Sequence, residues 1–316
     1  MAEQCEGKHL PYDEGKRYFE FADSQGKIHT IDTQQIRKSE SLPKMSTSSV
    51  KLLLFTRKNP NSGQEIIFGG SDDIYKTNLV KSKPTKFLIH GWTCEASSPF
   101  NVAVKDAFLA ALDVNVIVID WSWAAQSVYP IACGYVYSTG VLVASAMDWL
   151  LEKGLSIENM HIVGHSLGAH VAGTAARSIK RGRIPYLTGL DPAMPGWHYY
   201  TCRITPNDAD YVEVIHTSTM GLGEPLGHND FFPNYPWGQP GCHPIDPSPS
   251  HNRAWELFAC SLDNKRFKAS QCYNYGDLFF GSCATGVQLH MGGSKPKSKE
   301  GIFYLKTSDK KPFYLG

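Results

Sequence analysis

Short apolar runs alternate along this chain with longer stretches of helical spacing. Residues 50–56, 86–89, 114–121, 160–163, 186–190 and 211–215 read as strands. The run 114–121 is β-branched and apolar throughout, the composition of a strand covered on both faces. Between these runs, 100–112 has helical spacing, 140–153 reads as a helix closing at Gly154, and 169–179 is an alanine-rich helix. Such a β-α-β-α rhythm predicts the α/β class, with a doubly wound and mostly parallel sheet. In sheets of that kind the chemistry collects beyond the carboxyl ends of the strands.

The flanks read differently. Residues 18–21 and 28–31 bracket Asp23-Ser24-Gln25-Gly26 as a hairpin, and 38–49 is a polar, serine-rich loop. Residues 1–49 are therefore expected to be a β appendage packed on a main domain of residues 50–316. From 220 to 249 the chain is rich in Gly, Pro and aromatics and has no period. So long a loop in a compact domain usually forms a rim or lid over a site. Helical spacing resumes over 252–262, and 279–283, 287–290 and 302–306 are late strand candidates. No repeat and no linker-like stretch divides the chain, so one domain is expected.

Composition narrows the class. Lys plus Arg number 31 against 30 Asp plus Glu, a net charge of +1, which leaves no footprint for nucleic acid. The first residues, Met-Ala-Glu-Gln-Cys-Glu-Gly, lack the apolar centre of a signal peptide, and no apolar run approaches the roughly 20 residues of a membrane span. Eight cysteines without a Cys-x-x-Cys pair point to disulfides, hence to a secreted, extracellular protein in mature form. No Asn-x-Ser/Thr sequon adds support for secretion.

Candidate chemistry centres on Gly164-His165-Ser166-Leu167-Gly168, set between an apolar run and a helix. Strand, Gly-x-Ser-x-Gly and helix are the context of a nucleophile elbow. A serine hydroxyl needs a neighbouring base, itself oriented by a carboxylate, and in this arrangement acid and base follow the serine in that order. Asp191, in Gly189-Leu190-Asp191-Pro192, stands just past an apolar strand at a turn that proline fixes. His216, His228, His243, His251 and His290 all follow it. His251 is preferred because it lies at a loop-to-helix junction beside the expected rim, whereas His216 ends a strand and is expected to be structural. His165 and His170 flank the elbow and are expected to be packed. Oxyanion donors are expected from the amide of Leu167 and from that of Trp92, in His90-Gly91-Trp92 after an earlier strand.

Together these residues resemble the pancreatic-lipase family of secreted lipases and phospholipases. Phe87-Leu88-Ile89-His90-Gly91-Trp92, Val118-Ile119-Asp120-Trp121, the elbow, Gly189-Leu190-Asp191-Pro192-Ala193, Val214-Ile215-His216-Thr217 and Ser250-His251-Asn252-Arg253-Ala254 match in order, as do Gly227 to Asn234 and Gln239-Pro240-Gly241-Cys242. The resemblance implies an α/β-hydrolase fold, a Ser166, Asp191 and His251 triad, and oxyanion donors at Trp92 and Leu167. It also exposes departures. No C-terminal β-sandwich follows, so no colipase-type partner is expected. The family's long lid runs between a cysteine like Cys242 and one two residues before the histidine. Here that second position is Pro249. Even three helical turns need about eleven residues, more than this stretch offers, so the site is expected to be open. Arg203 and Asp208 remain of the family's calcium loop, but Tyr200 and Thr205 replace carboxylates, so no metal or other cofactor is expected. By resemblance Cys272 pairs with Cys283, Cys5 with Cys94 and Cys202 with Cys260, leaving Cys133 and Cys242 paired or free.

The reading is a secreted serine carboxylester hydrolase acting on lipid esters at an interface, of phospholipase A1 type, because an uncovered site admits a bulky head group. A triacylglycerol lipase or galactolipase is the alternative within the class. A non-catalytic, yolk-protein-like lipid carrier is the alternative outside it, and a cytosolic small-ester esterase is disfavoured by the cysteines. Phe231, Phe232, Tyr235 and Trp237 either form an interface-binding rim or pack beneath the loop.

Overall fold

The computed structural model describes residues 17–36, 41–69, 74, 76–198, 202–235, 237–263, 267–280 and 282–315. An antiparallel hairpin comes first, β1 (Tyr18–Ala22) and β2 (Ile28–Asp32), turning where the Asp-Ser-Gln-Gly sequence predicts it. The main sheet begins with β3 (Lys51–Phe55), β4 (Gln64–Ile66) and β5 (Thr85–Ile89). Helix α1 (Pro99–Ala111) leads to β6 (Asn115–Asp120), a short α2 (Ser122–Ala125) and the long α3 (Tyr129–Glu152). Then come β7 (Met160–His165), α4 (Leu167–Ser178), β8 (Tyr186–Leu190), β9 (Val212–Ile215) and β10 (Asn229–Pro233). Helix α5 (Ser248–Ser261), β11 (Lys268–Gln271), α6 (Gly276–Phe280), β12 (Gln288–His290) and β13 (Gly301–Leu305) complete the order.

The 11-stranded sheet runs β12-β11-β13-β10-β9-β8-β7-β5-β6-β3-β4. From β6 to β13 all neighbours are parallel, and antiparallel strands close both edges. Alternate side chains of the parallel strands enter two cores. Phe87, Ile89, Ile117, Ile119 and Ile162 meet α3 and α4 on one face. Leu88, Val116, Val118 and Val163 meet Phe100, Val104 and Phe108 of α1 and Leu257 and Phe258 of α5 on the other. Each such fully buried side chain contributes about 1.5–3 kcal/mol, so sheet and helices hold one another at a fixed height. That fixed height sets the carboxyl ends of β5, β7, β8 and β9 side by side.

Several expectations are corrected. Residues 279, 280, 282 and 283 lie in no strand; Phe279 and Phe280 end the short α6. The long loop contains a strand, β10, whose polar Asn229 and Asp230 broke its apolar pattern. Strand β4, at one edge, and β11, between β12 and β13, are strands that the pattern did not predict. Helix α3 starts at Tyr129, not at 140, and α5 starts at Ser248, not at 252. At 24 residues α3 is long and apolar enough to cross a membrane by length and composition, contrary to the sequence expectation, but 61% of its most apolar window is buried in the molecule. It is a core helix lying along α4.

Candidate active site

Strand β7 enters the elbow at full burial, and the chain reverses at Ser166 with φ 57° and ψ −125° before α4 begins. A left-handed backbone on a residue with a side chain is strained, and such strain persists where the surroundings over-determine it. Here Ser166 N donates to Leu190 O at 2.9 Å and Ala169 N to Ser166 O at 3.1 Å. A Cβ on Gly168 would stand 2.2 Å from Ile89 O, so only glycine lets α4 come this close to β5. A Cβ on Gly91 would lie 2.8 Å from Ser166 Cβ and 3.3 Å from its Oγ, which places the loop after β5 directly against the serine. Thr93, at φ 56°, turns that loop. Among the described residues, no hydrogen-bond acceptor is found for Trp92 N or Leu167 N.

Asp191 follows β8 at φ 44°, wholly buried, with its amide on Ile215 O at 2.8 Å. Its Oδ1 accepts from Thr217 N at 2.7 Å and Ser218 N at 3.2 Å. Its Oδ2 accepts the Ser218 hydroxyl and faces His251 Nδ1 at 2.6 Å. A carboxylate only accepts, so Nδ1 carries the proton and the lone pair of the neutral ring lies on Nε2. That Nε2 is buried and has no hydrogen-bond partner, the Ser166 hydroxyl included. Contacts of this kind are often long before substrate arrives and tighten with it. His251 is held over the elbow by His165, whose ring centroid is 4.6 Å away and whose Nε2 is 3.3 Å from His251 O.

The expected openness needs correction. No helix lies between β10 and α5 among the described residues, yet Ser166 and His251 are only 3% and 6% exposed. The hairpin supplies part of the cover. Phe21, on β1, sets its ring 5.9 Å from His251, 6.0 Å from Trp92 and 5.0 Å from Tyr129. Ser24 anchors the hairpin turn through its amide on Thr93 Oγ1 at 2.7 Å.

The remaining histidines sort by what their nitrogens face. His216 bridges Asp230 at 2.9 Å and Leu222 O at 2.7 Å. His170 donates from Nε2 to Ala193 O at 2.8 Å and accepts Ile204 N on Nδ1 at 3.2 Å. Burial first, against that carbonyl bond, brings its pKa down to about 3. Burial, then the His251 ring, also pushes His165 well below the ordinary range. His228 accepts Val212 N, and His243 accepts Ile245 N and Asp246 N. Of the five candidates after Asp191, His251 alone reaches its carboxylate. The sequence reading missed Ser218 and Phe21. It also missed His90, whose Nε2 lies 3.3 Å from Asp120 Oδ1. Asp120 falls to about 2, burial notwithstanding, through His90 and the Ser122 amide.

Behind the site, Asp208 takes Arg177 through both oxygens, at 2.7 and 2.8 Å, and Arg203 bonds Glu224 at 2.6 Å. Tyr200 lies outside the described residues. Cys272 and Cys283 are bonded, as the resemblance implies. The other two pairs are corrected. Cys94 and Cys260 are free thiols, as are Cys133 and Cys242; Cys202 is disulfide-bonded, so its partner is not Cys260. Cys5 lies outside the described residues.

A mostly parallel sheet with a strand-serine-helix elbow, an aspartate after the next strand and a histidine on a later helix defines an α/β hydrolase. Within that class, the chain belongs to the Lipase family, whose profile it matches over residues 16–313. It is 34% identical to lipoprotein lipase of Rattus norvegicus, over 78% of this chain and 60% of that protein. It is also 34% identical to phospholipase A1 member A of Bos taurus, over 84% and 63%. The chain thus spans about three-fifths of the length of these relatives. Among solved structures, the α/β hydrolase MGS-M1 from a deep-sea metagenome is similar over 57% of this chain and 71% of that one, at 15% identity and a TM-score of 0.36.

Proposed function

We propose that this chain is a serine hydrolase of lipid carboxylic esters, and that Ser166, His251 and Asp191 carry the reaction. The observation that bears most on this is the buried His251 Nε2, left without a partner while Nδ1 is fixed on Asp191. Ser166 Oγ attacks the ester carbonyl as Nε2 takes its proton. The carbonyl oxygen, now an anion, is held by the amides of Trp92 and Leu167, where losing one donor costs about 100- to 1000-fold in rate. Nε2 then returns the proton to the departing alcohol, and a water repeats the sequence to free the acid and regenerate Ser166. Asp191 fixes the tautomer that begins each half.

Among lipid esters, the reading favours phospholipids cleaved as by a phospholipase A1. No lid helix stands between β10 and α5 among the described residues, and phospholipase A1 member A is among the relatives. Lipoprotein lipase is equally similar, which keeps acylglycerols as the second reading. The Cys272–Cys283 bond supports secretion. The hairpin and main sheet are read as one domain, since Phe19 and Phe21 enter the same core as α3 and α4.

A fluorophosphonate probe should label the wild type and not Ser166→Ala; equal labelling of both sinks the nucleophile. Turnover of phosphatidylcholine and long-chain triglyceride should then be compared on the same preparation. Triglyceride turnover without phospholipid turnover rejects the phospholipase reading and keeps the esterase one.

A further inference from the structure

The sequence left open whether the aromatics of the long loop form a rim or pack beneath it, and the structure divides them. Phe231 and Phe232 are fully buried in β10, whereas Trp237 is 55% exposed. Trp237 stacks on Tyr235 and meets Phe279 at 5.3 Å, and Phe280 beside it is 85% exposed. The cluster is rigidly built. Tyr235 packs on Tyr304 of β13 at 4.7 Å, and Tyr275 joins Phe279 to the buried Phe232. The Cys272–Cys283 bond closes the segment that carries α6, and Asp277 accepts the amides of Tyr273 and Asn274 within it. Costly apolar exposure is thus held in place, and exposed apolar patches of this kind mark surfaces that meet a partner.

Its position indicates the partner. Trp237 follows the carboxyl end of β10, and two residues on, Gln239 bonds Ser250, next to His251, and Thr217 O, behind Asp191. Across the site, Trp123 and Val128 are 53% and 68% exposed after the carboxyl end of β6. Their segment is tied to the oxyanion loop by Thr93 N on Ala125 O and by Trp92 Nε1 on Ser127 O. Apolar side chains therefore stand on both sides of the elbow. A lipid surface can meet both sides at once, and aromatic rings settle at its water boundary.

We propose that the aromatic edge of Trp237, Phe279 and Phe280 docks this chain on a lipid surface, with Trp123 and Val128 touching down on the opposite side of Ser166. This rests on the lipid-ester reading, and its test separates the two. The full chain is mixed with phosphatidylcholine vesicles and bound protein is measured by flotation, beside hydrolysis of a soluble short-chain ester. Trp237→Ser with Phe280→Ser should lower vesicle partition by about tenfold or more, since two large apolar groups lose their contact. Hydrolysis of vesicle phosphatidylcholine should fall through a higher KM, with soluble-ester turnover unchanged. The aromatic-preserving pair, Trp237→Phe with Phe280→Trp, should keep wild-type partition.

Unchanged partition in the serine pair overturns the proposal, and so does an equal loss in the aromatic-preserving pair. A wild-type dimer that the serine pair splits, with partition intact, assigns the edge to a second copy and also overturns it. A wild type inert on every ester defeats the lipid-ester reading alone, because flotation still reports the edge.

Discussion

Among the described residues, two histidine–carboxylate pairs are buried at both partners, at neighbouring places on the same sheet edge. In both, the carboxylate is saturated: Asp230 accepts His216 Nε2 and the amides of Leu226 and Gly227, and Asp191 accepts His251 Nδ1, two amides and a hydroxyl. The imidazoles differ. His216 faces acceptors with both nitrogens and stacks on Phe232 at 4.3 Å and 3°, so no lone pair is available to a substrate. His251 meets Asp191 with one nitrogen and nothing with the other. A buried polar atom without a partner costs about 1–3 kcal/mol. The same residue types thus form a brace in one place and a candidate base in the other, and the second nitrogen decides which.

The largest expected effect tests the candidate base. Ser166→Ala should lower kcat on a soluble ester on the order of 10⁵- to 10⁶-fold while leaving the urea midpoint near wild type, and His251→Ala should lower kcat as far. Asp191→Asn should cost about 10⁴-fold, because an amide can donate to Nδ1 and favour the wrong tautomer. His216→Asn should behave in the opposite way. Leaving the buried Asp230 without its His216 hydrogen bond should cost about 1–3 kcal/mol of stability, with kcat on the folded fraction within a few fold. If His216→Asn abolished turnover in fully folded protein, the two pairs would not differ as argued.

Smaller effects sharpen the contrast. Phe21→Ala removes a ring buried against His251 and Trp92, which should cost about 3–5 kcal/mol in urea unfolding. Its kcat should also fall, since the hairpin then no longer steadies the imidazole; unchanged kcat would make the hairpin a mere cover. Ser218→Ala deletes a hydroxyl donor to the Asp191 carboxylate, worth about 1.5–3 kcal/mol for a charged acceptor. That loss should appear in stability first and in kcat less, because two amides still hold Oδ1.

Much of this edge is legible in the chain because its parts are local. The turn at Ser166 is written in two glycines between a strand and a helix, and Asp191 follows its strand directly. His251 follows from order and from its helix junction. What escapes is set by neighbours remote in sequence. Ser218 reaches Asp191 only because β8 and β9 pair in parallel, and Phe21 reaches His251 only because the hairpin docks on the loop after β5. Strand β10 is hidden for the same reason: its Asn229 and Asp230 are polar, and their partners Tyr211 and His216 flank the two ends of β9. The aromatic pair Phe279-Phe280 looks like strand, yet a disulfide-closed segment winds it into a helical turn.

The smallest effect concerns the histidine that links the elbow helix to the segment after Asp191. His170 donates to Ala193 O and accepts Ile204 N, which only the neutral ring can do. Burial, against the bond to Ala193 O, brings its folded pKa down to about 3, below the roughly 6.5 of an unfolded histidine. The unfolded chain therefore binds the proton first. The contribution is fully present above about pH 6.5 and is lost as pH falls toward 3, at up to about 1.4 kcal/mol per pH unit. Urea midpoints measured from pH 7 to pH 5 should decline for the wild type and decline less steeply for His170→Gln, by close to one proton. Equal slopes would show that His170 already carries its proton in the fold, and that the tautomer argued from Ile204 N does not hold.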